Sequence, residues 1–493
     1  MIRMIGGEMP EFAERLPAAG GDLYRHLAGR LPAGAHVLVA GPHEPGLIEA
    51  LADGRTVTCL LRSQPDAEAL SAQGFTVLCG TLAKLTGEDR YDAVVALDGT
   101  GRLCSPEGPQ YDWAESVRVL KRVMRPGGTL LLTVENELGV HRLADPGTPT
   151  APGTGEWRPL GEFGTAPGRP DRLAAALGAE GLPVSGLAAA WPDPAHPTLL
   201  ATPETLRYGP LDALAALASG AVADAYAGKP VLSDPRRLAG AAVRRGLGAE
   251  LAPAWIAVAQ LATRPAVTVP LAPALYRSAG TVVEVIGEPD GTWSRRTADG
   301  TRDTLPLPAG RLLEEALLTA ALGHDLPGLR RLLTGWMAAL PTTAAGNVLV
   351  DGDRYTVLDP GRPDQPDALA RFAHTLDAGG YAHPWPAVTD MARLTEVLAG
   401  AAGLAAAPEP PGPTGAPDGR RELTARIDEL RRRLDDAEAR SRFFEAELEK
   451  RDAELGRAKV QIAAFSGSLG FRAAKAGLGL ARKARNSLRK GQQ

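Results

Sequence analysis

From His36 to about Ala201 short β-branched runs alternate with helical stretches, which is how a doubly wound α/β domain reads. The pattern predicts strands over 36–40, 56–61, 75–79, 92–97 and 129–134, with helices over 65–72 and 111–124. In the second helix Val117, Leu120, Val123 and Met124 share one face. Arg125-Pro126-Gly127-Gly128 then stops the helix and supplies a tight return. After a Gly/Pro/Thr-rich loop over 146–167 and a helix over 169–177, segments 184–191 and 198–201 read as two terminal strands, which makes a seven-strand count over a first domain of 1–205.

Residues 206–405 are expected to form a smaller α+β domain. A helix spans 211–227, strands 281–286 and 292–296 pair across Asp290-Gly291, and 312–340 reads as two helices. A Pro-rich linker covers 406–420. Beyond it Leu423, Ile427, Leu430, Leu434, Ala437, Phe444, Leu448, Leu455, Ala458, Ile462, Phe465 and Leu469 follow alternating four- and three-residue spacing, with Ser441 and Arg451 interrupting. That seam predicts a coiled coil over 421–466 and self-association, with a parallel dimer as the expected form. From Arg421 to Lys459 eleven acidic and eleven basic side chains balance, so flanking charges can pair across helices. The tail over 467–493 carries Arg472, Lys475, Arg482, Lys483, Arg485, Arg489 and Lys490 and no acid, with Phe471, Leu478, Leu480 and Leu488 beside them. Such a basic amphipathic segment is expected on an anionic membrane surface.

Composition changes this picture little. At 493 residues, with 44% hydrophobic and 23% charged side chains, the chain reads as about three soluble units. Its net charge of -4 argues against nucleic acid as a partner, and no aromatic stacking platform accompanies the basic tail. Cys59, Cys79 and Cys104 are odd in number and form no C-x-x-C pair, so neither a metal site nor a disulfide framework is expected, and a cytoplasmic setting fits. The longest apolar run, 254–261, is too short to span a bilayer.

In a doubly wound sheet the ligand sits beyond the carboxyl ends of the strands, which directs attention to the turn Gly41-Pro42-His43-Glu44-Pro45-Gly46. Glycines there let a backbone approach a ligand, while Pro42 and Pro45 each remove a donor. This turn, the Pro126-Gly127-Gly128 return and the strand layout together resemble the class I S-adenosylmethionine-dependent methyltransferases over roughly residues 30–205. The resemblance implies a Rossmann-like fold, S-adenosylmethionine as cofactor, Gly41, Gly46 and Asp98 as cofactor-binding residues, and His43 and Asp98 as catalytic ones. His43 would serve as general base toward a hydroxyl.

Two positions depart from the family's pattern. Val39 stands where its acidic residue is expected, and Leu60-Leu61-Arg62-Ser63 stands where a carboxylate normally accepts the ribose hydroxyls. Asp66 lies too far into the next helix to replace it. Further along, Gly346-Asn347 through Asp351-Gly352-Asp353 to Asp359-Pro360 looks like the metal-binding end of aminoglycoside-phosphotransferase-like kinases, although Thr342 occupies the base position and a β-hairpin alone explains the Asp-Gly-Asp run. The order of parts is similar to the methyltransferase-kinases that cap bacterial surface polysaccharides. Two functions are therefore expected from different classes. One is a methyltransferase acting on a sugar or glycan hydroxyl in cell-surface biosynthesis, lying in the cytoplasm or at the inner face of the membrane. The other is a non-catalytic methyltransferase-like scaffold that organises an assembly through its coiled coil.

Overall fold

The structure, a computed structural model, describes residues 1–106, 108–144, 164–229, 231–261, 271–301, 304–388, 390–405, 420–467 and 469–490. Most of the loop expected over 146–167 and nearly all of the linker over 406–420 lie outside them. Two units result, Met1–Leu423 and Thr424–Gln493.

The first unit is an α/β fold built on a large mixed sheet. Its opening half runs β1 (Ile2–Gly6), α1 (Asp22–Gly29), β2 (His36–Ala40), α2 (Pro45–Ala52), β3 (Thr56–Leu61), α3 (Gln64–Ala72), β4 (Thr76–Gly80), β5 (Tyr91–Ala96), α4 (Trp113–Arg122) and β6 (Met124–Glu135). Strands β1 to β6 pair in parallel in the order β1-β4-β3-β2-β5-β6. The reason is legible in the residues: strands such as Val37-Leu38-Val39-Ala40 are apolar on both faces, so helices must cover both. Leu38, Leu60, Leu78 and Val94 face one hydrophobic cluster with Trp113, Val117 and Leu120 of α4. Val37, Val39, Cys59 and Val95 face the other with Leu23, Leu47 and Ala67 of the first three helices. Burial pushes the Cys59 thiol up to about 12 and that of Cys79 to about 11, so both act as small apolar side chains. Helix α4 starts at a capping box in which Asp112 accepts from the Glu115 amide at 2.6 Å and Glu115 accepts from the Asp112 amide at 2.9 Å.

After α5 (Val140–Ala144) and α6 (Pro170–Ala179) come β7 (Val184–Trp191), β8 (Leu199–Ala201), α7 (Pro203–Tyr208), α8 (Leu211–Ala225), α9 (Pro235–Arg244) and β9 (Ala254–Gln260). Strand β9 inserts between β6 and β7, antiparallel to both. Segment 198–201 is a strand as expected, but it lies outside β7 rather than closing the seven-strand set. Among the described residues the sheet continues through β10 (Ala274–Ser278), β11 (Thr281–Gly287), β12 (Trp293–Thr297) and β13 (Leu305–Pro306) to thirteen strands, ordered β1-β4-β3-β2-β5-β6-β9-β7-β8-β10-β11-β12-β13. The seven-strand count is corrected accordingly, and residue 205 does not divide the sheet.

The remaining elements are β14 (Arg311–Leu312), α10 (Leu313–Leu322), α11 (Leu326–Ala339), β15 (Val348–Asp351), β16 (Arg354–Val357), α12 (Ala368–Ala378) and α13 (Met391–Ala401). They surround a separate hydrophobic cluster that includes Leu313, Leu333, Trp336 and Phe372. The second unit holds all but the first four residues of the 48-residue helix α14 (Arg420–Gly467) and the 22-residue helix α15 (Leu469–Lys490). Along α14 Leu430, Leu434, Phe444, Leu448, Leu455 and Ile462 are all exposed. Among the described residues no helix is long and apolar enough to cross a membrane.

Candidate functional site

The strand order reverses between β2 and β5, so the crevice that a doubly wound sheet offers to ligands lies beyond the carboxyl ends of β2, β3, β4 and β5. In this protein a segment of the chain itself crosses those ends. The backbone leaves β1 beside β4, where the Thr81 amide donates to the Gly6 carbonyl at 3.1 Å. It then passes β3, where the Met9 amide donates to the Arg62 carbonyl at 2.8 Å and the Gln64 amide to the Met9 carbonyl at 3.2 Å. At β2 the Ala19 amide donates to Pro42 at 3.1 Å and the Glu44 amide to Ala19 at 2.9 Å before the chain enters α1. Residues 8–21 thus form a strap across the crevice.

Charge fixes the strap. Arg62, 2% exposed at the end of β3, donates through Nε to Glu14 at 2.7 Å, through Nη2 to the other Glu14 oxygen at 3.3 Å, and through Nη1 to the Cys104 carbonyl at 2.9 Å. Its guanidinium lies 5.3 Å from the centre of the Phe12 ring. Arg102 clasps Asp98 with two nitrogens, donates to the carbonyls of Leu16 at 3.1 Å and Pro17 at 2.8 Å, and lies 3.7 Å from Glu14. Asp66 accepts from the Glu14 amide at 2.9 Å. Instead of replacing a ribose carboxylate, it tethers the strap.

His43 is buried, and both ring nitrogens face the backbone. Nδ1 donates to the Gly41 carbonyl at 2.9 Å and Nε2 accepts from the Leu97 amide at 3.2 Å, which fixes the tautomer. Burial depresses its pKa to about 4. In this arrangement no lone pair is left for a substrate proton. The ring instead acts as a strut between the turn after β2 and the end of β5, which corrects its reading as a general base. Gly41 adopts a φ of +94°, and a Cβ there would come within 3.4 Å of Asp98 and Leu103, so Gly41 and Asp98 do meet at the switch point. Gly46 lies apart in the first turn of α2, where its open side faces Arg25 of α1.

Past β6, Glu135 accepts from His141 at 3.1 Å and from Arg142 at 2.6 Å. Asn136 donates to the carbonyls of Glu250 and Ala252 and accepts from the Leu138 amide, so it locks a loop. At the return Gly127 has a φ of +82°, and a Cβ on Gly128 would press on the Arg125 and Asp92 carbonyls. The kinase-like stretch is likewise closed on itself. Asn347 donates to the Asp359 carbonyl and accepts from its amide, both at 2.9 Å, while the Asp359 carboxylate accepts from Ser278 at 2.6 Å and from the Gly361 amide at 3.0 Å. Strands β15 and β16 form a hairpin that turns at Gly352-Asp353, with Gly352 at a φ of +60°. Among the described residues no cluster of three or more His, Cys, Asp or Glu side chains has the makings of a metal site.

No protein-family model matches the chain, and no curated protein does either. Among solved structures it is similar to the 1,6-didemethyltoxoflavin-N1-methyltransferase of Burkholderia thailandensis, with 15% identity over 48% of this chain and 75% of that one and a TM-score of 0.26. It is also similar to a methyltransferase from Geobacter sulfurreducens, with 17% identity over 51% and 95% of the two chains and a TM-score of 0.25. A sarcosine dimethylglycine methyltransferase assigned in Galdieria sulphuraria gives 15% identity over 48% and 82%, with a TM-score of 0.27. The first two were crystallised with S-adenosylhomocysteine. S-adenosylmethionine is the cofactor that the resemblance read in the sequence implies. At such low overlap the likeness carries no weight on chemistry, and the residues of the crevice decide.

They do not fit that cofactor as they stand. The guanidinium of Arg62 occupies the strand end from which a carboxylate would accept ribose hydroxyls, and the Glu44 amide at the start of α2 is taken up by Ala19. A Cβ on Gly20 would collide with the Glu44 carboxylate, so the strap is packed against the turn. Sequence reasoning missed the strap. The signal available was Arg62 itself, a cation at the end of a buried strand, which requires an acid from elsewhere in the chain.

Proposed function

We propose that this chain is a non-catalytic scaffold of the methyltransferase fold, which organises an assembly through α14 while α15 meets an anionic membrane surface. One observation carries the reading: residues 8–21 lie over the carboxyl ends of β3 and β2, tied by Glu14 to Arg62 and by the Leu16 and Pro17 carbonyls to Arg102. A doubly wound sheet has one crevice at its switch point, and a chain that fills it with its own backbone has no room there for a nucleoside. The neutral strut at His43 supports the same reading, since both ring nitrogens are taken by backbone groups and the ring cannot serve as a base.

A second reading keeps the enzyme. Gly41 and Asp98 still approach each other at the switch point, and the strap buries few large apolar side chains, so polar contacts hold most of it. Released, it would uncover a site for S-adenosylmethionine and a methyl transfer to a sugar or glycan hydroxyl, which needs mainly alignment of donor and acceptor. The domain order, similar to that of polysaccharide-capping methyltransferase-kinases, belongs with this alternative. Calorimetric titration of the full chain separates the two. The scaffold gives no heat with S-adenosylmethionine or S-adenosylhomocysteine at millimolar concentration, whereas saturable binding at micromolar concentration establishes the second reading.

A further inference from the structure

Four buried charges meet at the switch point: Arg62, Arg102, Asp98 and Glu14, each with a side chain no more than 8% exposed. Three of them come from loops at the carboxyl end of the sheet. Only Glu14 comes from the strap. The sheet therefore contributes two guanidiniums and one carboxylate, and the strap supplies the missing anion. The geometry at Arg62 is the two-pronged form, with Nε at 2.7 Å and Nη2 at 3.3 Å from separate carboxylate oxygens, which is how a guanidinium selects a planar carboxylate. A second observation points the same way. Among the described residues the Ser105 hydroxyl, 1% exposed, finds no hydrogen-bond partner, and it follows directly on Cys104, whose carbonyl anchors Arg62. A Cβ on Gly7 would lie 3.5 Å from that hydroxyl, so the orphan donor sits where the chain leads from β1 into the strap.

We propose that the crevice is a carboxylate-binding site which the chain fills in cis, with Glu14 as a tethered ligand on Arg62 and Arg102 and with Ser105 as a further donor to an acidic small molecule. The tether gives Glu14 an effective concentration that a free anion matches only in the millimolar range or above, so the site is closed until the strap is displaced. This goes beyond the scaffold reading, and its test uses no nucleoside. Failure of one is therefore distinguishable from failure of the other.

The test is chemical rescue in the full chain. Glu14→Ala removes the tethered carboxylate and lowers the thermal midpoint. Acetate, compared with chloride at equal ionic strength, restores at least half of that loss with a saturable dose dependence. Phosphate in a third arm shows whether a tetrahedral anion serves as well. The Glu14→Ala, Arg62→Met pair shows no acetate-specific rise. Equal midpoints in acetate and chloride for Glu14→Ala overturn the proposal. Should that variant fail to fold, Glu14→Gln is titrated instead, with hydrogen exchange at the Met9 and Ala19 amides as the readout. Acetate then competes with the amide side chain and speeds exchange relative to chloride, and unchanged exchange overturns the proposal.

Discussion

The strut at His43 makes a prediction whose magnitude follows from its environment. Burial is the largest cause of its depressed pKa, opposed by the hydrogen bond to the Gly41 carbonyl and reinforced by the charge of Arg102. In the unfolded chain the same ring titrates near 6.5, and in the folded chain near about 4. Between these values the unfolded state binds the extra proton and the folded state does not. Stability therefore rises with pH across this window. The contribution is complete above pH 6.5 and is lost progressively as pH falls toward 4, by about 3 kcal/mol if the whole difference is expressed. Carboxylates titrate nearby, so the measurement is a difference. Urea unfolding of the full chain and of His43→Gln is followed from pH 7.5 to 4.5. The wild-type protein loses more stability over that range than the variant does, and its His43 ring protons show no midpoint between pH 5.5 and 8 by NMR. Parallel pH profiles for the two proteins, or a ring midpoint near 6.5, refute the strut.

Two further predictions concern the second unit. Sedimentation of the full chain gives a dimer, and a chain ending at Gly419 gives a monomer. Among the described residues the seam of α14 exposes seven large apolar side chains, and in a parallel pair Arg433 faces Glu438, Arg440 faces Glu445 and Glu454 faces Lys459, although Glu447 faces Asp452. Monomers in both would reject it. Liposome flotation recovers the intact chain with anionic vesicles and not with neutral ones, and loses it on truncation at Ser466. The cations of α15 are worth roughly 1 kcal/mol each near such a surface, with Leu478 and Leu480 exposed beside them. Equal recovery in all cases leaves α15 without a membrane role.

What the sequence discloses is what local physics decides. Strands β2, β3 and β7 fall at the predicted limits because short apolar runs bounded by turn residues have few other fates. The unusual strand β9 does not disclose itself. Ala254-Trp255-Ile256-Ala257-Val258-Ala259 reads as a greasy run without alternation, and its place between β6 and β7 is set by pairing with residues far earlier in the chain, Glu135 and Ala190 both opposite Ala254. The candidate site divides in the same way. Gly41 and Asp98 are found from their positions after strands, since topology alone brings strand ends together. The roles of His43 and Gly46 are not, because a ring that spans two backbone groups and a glycine that admits a neighbouring arginine leave no trace in spacing.

Arg62 and the strap are best understood as one device, and their coupling can be measured. A buried guanidinium stripped of its carboxylate costs about 3–5 kcal/mol, whereas removing both charges together and filling the space with apolar atoms is often near neutral. Arg62 is engaged on two sides, by Glu14 and by the Cys104 carbonyl, so Arg62→Met also leaves that carbonyl and the Glu14 carboxylate in a buried place. Each single change, Glu14→Leu or Arg62→Met, is therefore expected to be strongly destabilising, and the double change to cost markedly less than their sum, with a coupling of about 2 kcal/mol or more. Denaturant unfolding of the four proteins measures it. If the effects simply add, Glu14 is a surface acid resting near Arg62 and the strap is held by its backbone contacts alone. If they couple, the charge at the end of β3 and the segment that covers it are parts of one closure, and the crevice is sealed from within by the same side chains that a ligand would otherwise have to meet.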